Sequence, residues 1–248
     1  MTRLIRTELL KLATVRTFPG ILLGALALIL VRFAMVVISA GKAEASPLGT
    51  ASSTRDLLMA VGSSAILLMV FGILSVTAEV RHGTIGWAFL AVPIRWKVLA
   101  AKLAAVMIAS AGFLAVTGVT VVGLAAWVLA REGISSSVIS REVTAAFGGA
   151  IVGSLLYAAL GVGFGALIRH QVAALMIPLG WLLVVENMLP NFGLTWLYVW
   201  MPGGATAALA RADLPGLLST WVGGLVLFGY AAIAVVIGGS MLSANDLT

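Results

Sequence analysis

Few residue types in this chain could take part in catalysis or metal binding. The chain has no cysteine and two histidines, which excludes thiolate metal sites, disulfides and cysteine nucleophiles. Both histidines, His82 and His170, fall in predicted loops, and no aspartate lies in a long apolar run. An intramembrane protease needs a serine and a histidine, or two aspartates, at membrane depth, and this sequence does not supply them. Metal-dependent catalysis is not supported either.

ATP hydrolysis by this chain is also not expected. A loop of the form G-x-x-x-x-G-K-[ST], in which backbone N–H groups and a lysine hold phosphates, does not occur in the sequence. Gly161-x-Gly163-x-Gly165 is not taken for a nucleotide loop, because glycine in an apolar run favours close helix packing, as does the pair Gly149 and Gly153. We therefore predict no catalytic, cofactor-binding or metal site in the chain.

Two ionisable residues lie inside apolar runs and need a partner or water. Arg32 lies in the interior of the first run, where a charge costs at least about 2.5–3.5 kcal/mol to insert. Glu186, toward the end of the fifth run, is the only acidic residue in a comparably apolar context. We predict that the two form an intramembrane ion pair. The alternative is that Arg32 extends to the headgroups and Glu186 begins an external loop.

The largest polar interruption is residues 79–102, EVRHGTIGWAFLAVPIRWKVLAAK, between two long apolar runs. Gly83 and Gly86 favour a tight turn, and Pro93 ends the segment that follows. Between them we predict a short amphipathic helix over residues 84–90. The apolar residues that share one face at helical spacing are Ile85, Ala88, Phe89 and Val92. Such a helix at the membrane surface is well placed to contact another protein.

Six predicted membrane spans position these residues. Of all residues, 61% are apolar and 10% are charged, against about 25% charged in soluble domains. Continuous apolar runs of about 20 residues favour membrane-crossing helices over strands. The predicted spans are residues 18–40, 57–78, 98–130, 144–168, 172–189 and 216–242. The fold class is therefore an all-α membrane protein, with residues 1–248 as a single transmembrane domain.

Two of the spans depart from the usual pattern. Basic residues precede residues 18–40, as in a signal peptide, but the run is longer than a usual signal-peptide core and five spans follow it. We therefore expect a retained helix. Residues 98–130 are longer than the bilayer requires, so this span is expected to tilt or to emerge from the membrane.

The distribution of charge predicts the orientation. If both termini lie on one side, that side collects a large excess of basic residues, and the opposite side is slightly acidic. The basic residues are Arg3, Arg6, Lys11, Arg16, Arg81, Arg95, Lys97, Lys102 and Arg169. By the positive-inside rule, both termini and the loop 79–97 are cytoplasmic. The net charge of +6 then favours anionic lipid headgroups. Nucleic acid is not an expected partner, because no soluble domain presents a basic face.

Two further segments are expected at the membrane surfaces. Residues 1–16 form an amphipathic helix in the cytoplasmic interface, or else only a basic topology anchor. Its apolar face is Leu4, Ile5, Leu9, Leu12 and Val15, and its polar face is Arg3, Arg6, Thr7 and Lys11. Residues 190–215 are too interrupted for a span and too apolar for a free loop. Trp196, Tyr198 and Trp200 there fit an aromatic belt at the outer interface.

The polar segment also resembles a known family at specific positions. The matching residues are Glu79-x-Arg81-x-Gly83-Thr84, then Leu90-x-x-Pro93-x-Arg95, and then Lys102. This pattern resembles the loop between the second and third helices of ABC type-2 permeases, the membrane subunits of many bacterial exporters. The order of a basic N-terminal helix, six spans and an interrupted segment before the last span is similar to the family as well.

The resemblance implies that residues 79–97 are a coupling loop that docks into a separate ATP-binding subunit, which holds ATP and Mg²⁺. The implied coupling residues are Glu79, Arg81, Gly83, Thr84, Ile85, Phe89, Pro93 and Arg95. Glu79 and Arg81 could pin the loop to that subunit or to the first helix, or only mark the bilayer edge. Two permeases, identical or different, would pair with two ATPases. Short re-entrant helices with Trp196, Trp200 and Pro202 would narrow the outer exit.

The expected function is export of an amphipathic or apolar substrate, such as a drug, peptide or lipid, across the bacterial cytoplasmic membrane. The small and apolar residues of the spans suggest this cargo. Two other classes stay open. A secondary transporter driven by an ion gradient needs ionisable groups near the midplane, for which only Arg32 and Glu186 are eligible. A membrane scaffold without transport is the other.

Overall fold

The computed structural model describes residues 1–40, 47–84, 94–133, 140–168, 170–212 and 216–244. Every regular element in these ranges is helical. The α-helices are α1 (Thr2–Thr14), α2 (Thr17–Ser39), α3 (Ala51–Met59), α4 (Ala65–Arg81), α5 (Arg95–Arg131), α6 (Arg141–Leu167), α7 (Gln171–Gly180), α8 (Glu186–Met188), α9 (Thr195–Tyr198), α10 (Pro202–Leu209) and α11 (Thr220–Ala244). A 3₁₀ turn, Ala60–Ser64, joins α3 to α4, and a π-helical segment, Trp181–Val185, joins α7 to α8.

Six helical segments within the described residues are long and apolar enough to cross a membrane. They are Thr17–Ser39, Ala51–Arg81, Arg95–Arg131, Arg141–Leu167, Gln171–Phe192 and Thr220–Leu242. For the described part of the chain, the predicted all-helical architecture with six helices able to cross a membrane is therefore confirmed. The second span begins at Ala51 instead of residue 57, because Thr50 caps a polar first turn by accepting a hydrogen bond from Ser53 N–H at 3.2 Å.

Contacts between helix ends show where the two ends of the chain lie. Lys102 in the early turns of α5 binds Glu8 on α1. Arg95, the first residue of α5, donates to the carbonyl oxygen of Leu242 on α11 at 2.7 Å. The N-terminal helix and the last described turns of α11 therefore lie at the same end of the bundle, which we call the α1 end. Which side of a membrane this end faces stays a prediction.

Helix α6 lies at the centre of the bundle, and glycines bring its neighbours close. A Cβ atom added to Gly161 would lie 2.9 Å from the carbonyl carbon of Met69 on α4. One added to Gly163 would lie 2.6 Å from Cβ of Ala234 on α11. Gly149 packs against the backbone of α10 in the same way. The predicted role of these glycines in helix packing is confirmed.

The fifth span is not a regular α-helix. Pro178 lies inside α7, where its missing N–H and its ring disturb the hydrogen-bond pattern. The π-helical segment Trp181–Val185 follows it. Asn187 Nδ2 donates to two main-chain carbonyls of this segment, at 3.1 and 3.0 Å, which supplies partners that the irregular backbone needs. The π-helical turn places Trp181 and Glu186 on the same side of the span.

Candidate functional site

Four charged side chains from three helices form a cluster at the α1 end. Lys102 Nζ lies 2.7 Å from Glu8 Oε2 and 2.7 Å from Glu79 Oε1. Lys11 Nζ lies 2.7 Å from Glu8 Oε1 and 3.0 Å from Glu79 Oε1. Each lysine therefore bridges both glutamates, and two positive charges balance two negative ones. We call these four residues the ion-pair cluster.

The cluster is largely shielded from solvent. The side chains of Lys102 and Glu8 are 3% and 6% exposed, whereas Lys11 lies at the rim with 40% exposed. Lys102 Nζ also donates to the carbonyl oxygen of Ser75 at 3.3 Å. Removing one partner of a buried ion pair is costly, because the other charge stays buried without compensation. The cluster therefore fixes α1, α4 and α5 relative to one another.

The helices place each member of the cluster. Glu8 and Lys11 are three residues apart on α1 and so face the same side. Glu79 lies in the last turn of α4, and Lys102 lies in the early turns of α5. Helix α5 has 37 residues, which at a rise of about 1.5 Å per residue exceeds the roughly 30 Å of hydrocarbon. Its length allows Lys102 to meet its partners at the α1 end.

The cluster controls the ionisation of its two members on α1. Burial raises the pKa of Glu8, but Lys102 and Lys11 outweigh burial and hold the pKa below its ordinary value of 4.5. Burial lowers the pKa of Lys11, but Glu8 and Glu79 outweigh burial and hold the pKa above its ordinary value of 10.5. Both side chains are therefore charged at neutral pH.

We expect acidification to destabilise the protein through Glu8. A glutamate with a depressed folded-state pKa stabilises the fold above its unfolded pKa, near 4.5, and this stabilisation is lost as the pH falls through the folded pKa. Lys11, with a raised pKa, stabilises below 10.5 and loses its effect at higher pH. As the pH is lowered below 4.5, the unfolding temperature measured in detergent should decrease. The decrease should be less steep for the Glu8→Gln variant. Equal dependence of the unfolding temperature on pH in both proteins would show that Glu8 does not cause the acid destabilisation.

The cluster leads directly into the predicted coupling loop. Helix α4 ends in a Schellman motif, in which Thr84 N–H donates to the Glu79 carbonyl at 3.0 Å and Gly83 N–H donates to the Val80 carbonyl at 3.2 Å. Gly83 has a φ of 68°, a left-handed conformation that glycine adopts without strain. The turn expected at Gly83 is therefore present. It directs the chain away from α4 within a few residues of the cluster.

The other predicted coupling residues are described only in part. Three of them, Ile85, Phe89 and Pro93, lie in residues 85–93, outside the described part of the chain. Glu79 binds α1 through Lys11, which is one of the alternatives predicted for it. Arg81 donates to Gln171 Oε1 at 3.1 Å, and Arg95 donates to the Leu242 carbonyl. These contacts hold both flanks of residues 85–93 to the helix bundle.

The prediction for the faces of α1 is wrong in two respects. Lys11, expected on the polar face, lies in the ion-pair cluster, and Val15, expected on the apolar face, is 46% exposed. The packed face instead includes Glu8, which is 4% exposed and to which the sequence-based prediction gave no role. The available signal was Lys102 within an apolar stretch, because a buried lysine needs an acidic partner.

A second polar site surrounds Glu186 in the fifth span. The residue is 1% exposed. Its Oε2 accepts a hydrogen bond from Gly203 N–H at 2.7 Å, in the first turn of α10, where negative charge is favourable. Its Oε1 is buried and has no hydrogen-bond partner. The indole of Trp181 lies beside the carboxyl group.

The predicted ion pair between Arg32 and Glu186 is not formed within the chain. Arg32 is exposed on α2, while Glu186 uses one oxygen for Gly203 and has no partner on the other. Both residues do lie within helical segments that are long and apolar enough to cross a membrane. Their apolar context did not indicate the direction in which each side chain points.

The predicted outer gate residues do not share one environment. Trp196 and Trp200 are 67% and 50% exposed, as expected for side chains on the outer surface of the protein. Pro202 is buried and begins α10. The short helices α9 and α10 occupy the segment in which re-entrant helices are expected. Their entry into a membrane, and a gating role, stay predictions.

Comparison with known proteins does not assign a family. No protein-family model matches the chain, and no curated protein matches it. The basis for a function is therefore the architecture itself. Its described ranges contain six helical segments able to cross a membrane, an ion-pair cluster at the α1 end, and a buried carboxylate in the fifth of these segments.

Proposed function

We propose that this chain is the permease subunit of an ABC exporter, driven by ATP and Mg²⁺ on a separate ATP-binding subunit. The observation that carries the proposal is the ion-pair cluster, since it joins α1, α4 and α5 next to residues 85–93. The loop motif that resembles ABC type-2 permeases lies at this same place. A partner that pushes on the loop would therefore move three helices together.

The mechanism would be rigid-body transmission. Movement of α4 would pass to α6, because the backbone of Gly161 lies directly against the backbone of Met69. It would pass on to α11 through Gly163 and Ala234. Tightly packed helices shift between discrete arrangements instead of deforming continuously. In a pair of permeases, such a shift would alternately open the path between them to each side of the membrane.

The α1 end is proposed to face the cytoplasm of a bacterial cell. The basic residues gather on this side in the predicted topology, as the positive-inside rule requires. The ATP-binding subunit, which needs cytoplasmic ATP, would then meet the loop between α4 and α5. The proposed cargo is an amphipathic or apolar molecule, moved outward.

A charged residue on the predicted coupling helix should abolish assembly. Phe89→Asp places a carboxylate on the apolar face of residues 84–90, and burying it in a partner's cleft without a counter-charge is costly. We expect at least a tenfold loss of the ATP-binding subunit that co-purifies, with normal membrane insertion. The matched control is Trp87→Asp, which lies on the opposite face of the predicted helix. Normal co-purification with Phe89→Asp, or equal loss with both variants, would contradict the docking role.

The second candidate is a secondary transporter, and one observation favours it. Glu186 is a buried carboxylate next to a π-helical segment and a proline, and ion-coupled transporters place such groups on broken helices. Uptake or efflux in vesicles without ATP distinguishes the two functions. Transport that needs only an ion gradient would support this candidate.

A further inference from the structure

An apolar pocket is lined by Trp181 and Pro202, residues close to the Glu186 carboxyl group. It has a volume of about 380 Å³, and its walls include Phe164, Trp181, Pro202 and Tyr230. Pockets that bind small organic molecules span roughly 300–1,000 Å³ and combine apolar walls with a few polar groups. The size and lining of this pocket therefore suit a small amphipathic molecule.

The carboxyl group of Glu186 is positioned by residues that line this pocket. Trp181 is part of the wall and also lies beside the carboxyl group. Pro202 is part of the wall and directly precedes Gly203, whose N–H holds Oε2 at 2.7 Å. Oε1 is left without a hydrogen bond among these residues. A buried carboxylate oxygen without a partner is unfavourable, so the site favours a ligand that donates to it.

The described residues give this oxygen no cationic partner. Three tyrosines lie close enough to Glu186 to be affected by its charge: Tyr157 of α6, Tyr198 of α9 and Tyr230 of α11. None of them carries a positive charge. Across the described ranges, no lysine, arginine or histidine is bonded to Oε1. Oε1 of Glu186 is therefore open to a hydrogen-bond donor from outside the described residues.

The backbone around the carboxyl group is shaped to hold it. A Cβ atom added to Gly203 would lie 2.6 Å from Glu186 Oε2, so glycine at the start of α10 leaves room for the carboxylate in its observed position. The π-helical segment before Glu186 aligns it with Trp181, and π-helical turns are frequent at functional sites. The glycine at position 203 and the π-helical segment therefore both position the Glu186 side chain.

We propose that Glu186 and the adjacent pocket form a binding site for an amphipathic molecule with a single ammonium group. The ammonium donates a hydrogen bond to Oε1, and the apolar body fills the pocket between Phe164 and Tyr230. Trp181 and Tyr230 are both in the pocket wall, and aromatic rings attract cations. The ammonium can belong to a free amine or to the headgroup of an ethanolamine lipid. Binding is independent of the proposed exporter, whereas a role of the ligand as cargo rests on that function.

Binding of dansylcadaverine, a fluorescent primary amine, tests the proposal. The full chain is placed in phosphatidylcholine nanodiscs, and energy transfer from tryptophan to the dansyl group is measured against protein-free discs. We expect saturable binding at least tenfold tighter than that of the neutral N-acetylated probe. Glu186→Gln should weaken amine binding at least tenfold and remove the difference between the probes. The control Glu132→Gln, an exposed carboxylate at the end of α5, should bind as wild type does.

Equal affinity of the wild-type protein for the two probes would overturn the proposal, and this comparison needs no variant to fold. A Glu186→Gln protein that keeps the preference for the amine would also overturn it. Discs with and without phosphatidylethanolamine distinguish a lipid headgroup from a free amine as the source of the ammonium group. If phosphatidylethanolamine competes with the probe, the ligand is the lipid headgroup. If it does not compete, the ligand is a free amine. No ATP-binding subunit is present in the assay, so failure of the exporter proposal would leave the result unchanged.

Discussion

Replacing Lys102 by methionine is expected to destabilise the protein by about 3–5 kcal/mol, the typical cost of removing one partner from a buried ion pair. Lys102 is 3% exposed, and its Nζ lies 2.7 Å from both Glu8 and Glu79. Methionine has a similar length but no charge, so two buried carboxylates would share Lys11 alone. Denaturant unfolding of the purified protein in detergent, followed by tryptophan fluorescence, measures the loss.

Two comparisons isolate the ion-pair cluster as the cause. Lys97→Met removes an exposed lysine from the same helix and should change stability by no more than about 0.5 kcal/mol. Adding Glu8→Gln to Lys102→Met should restore part of the loss, because residues in one network are not additive. Equal effects of the two lysine substitutions would contradict the buried cluster.

The substitution Gly161→Ala is expected to have the next largest effect. The added Cβ would lie 2.9 Å from the carbonyl carbon of Met69, with the carbonyl oxygen closer still. The obstacle is backbone, so no side chain can rotate away, and α4 and α6 must separate. We expect a cost of about 3 kcal/mol, the upper part of the usual range for overpacking. The same unfolding experiment measures it.

Gly148→Ala is the matched control for this prediction. Gly148 lies on the same helix, but an added Cβ there meets nothing within 4 Å. Alanine is favoured over glycine in a helix by about 1 kcal/mol, so this variant should be neutral or slightly more stable. A Gly161→Ala protein as stable as the control would show that α4 and α6 are not in close contact.

The membrane spans could be predicted because apolar length is a local property of the sequence. Residues 18–40 were expected and Thr17–Ser39 is observed, and residues 144–168 correspond to Arg141–Leu167. The packing role of Gly161 and Gly163 was accessible for a similar reason. Small residues at fixed spacing on a helix create a flat surface whichever helix meets it.

The ion-pair cluster could not be predicted in the same way. Glu8 and Lys102 are far apart in sequence, and their contact depends on how α1 packs against α5. Sequence periodicity assigned Lys11 to the solvent side of α1, because periodicity treats every charge as exposed. The charge of Lys102 was visible within an apolar stretch, but its partners were set by tertiary structure.

The sequence could not show, for a related reason, that Arg32 and Glu186 do not pair. Composition gives the depth of a residue in the membrane, whereas the direction of its side chain depends on helix rotation and packing. Glu186 is directed toward α10 by the irregular turn that follows Pro178. The sequence showed the proline, but it did not show where the extra backbone turn would place the carboxylate.

The composition of the particle purified gently from its native membrane tests the exporter proposal most directly. Mass measurement of the intact complex should show this chain and an ATP-binding subunit in equal numbers, two of each, with the ATP-binding subunit absent from the Phe89→Asp preparation. A chain that is isolated without any ATP-binding subunit, alone or as an oligomer of itself, would contradict the proposed function.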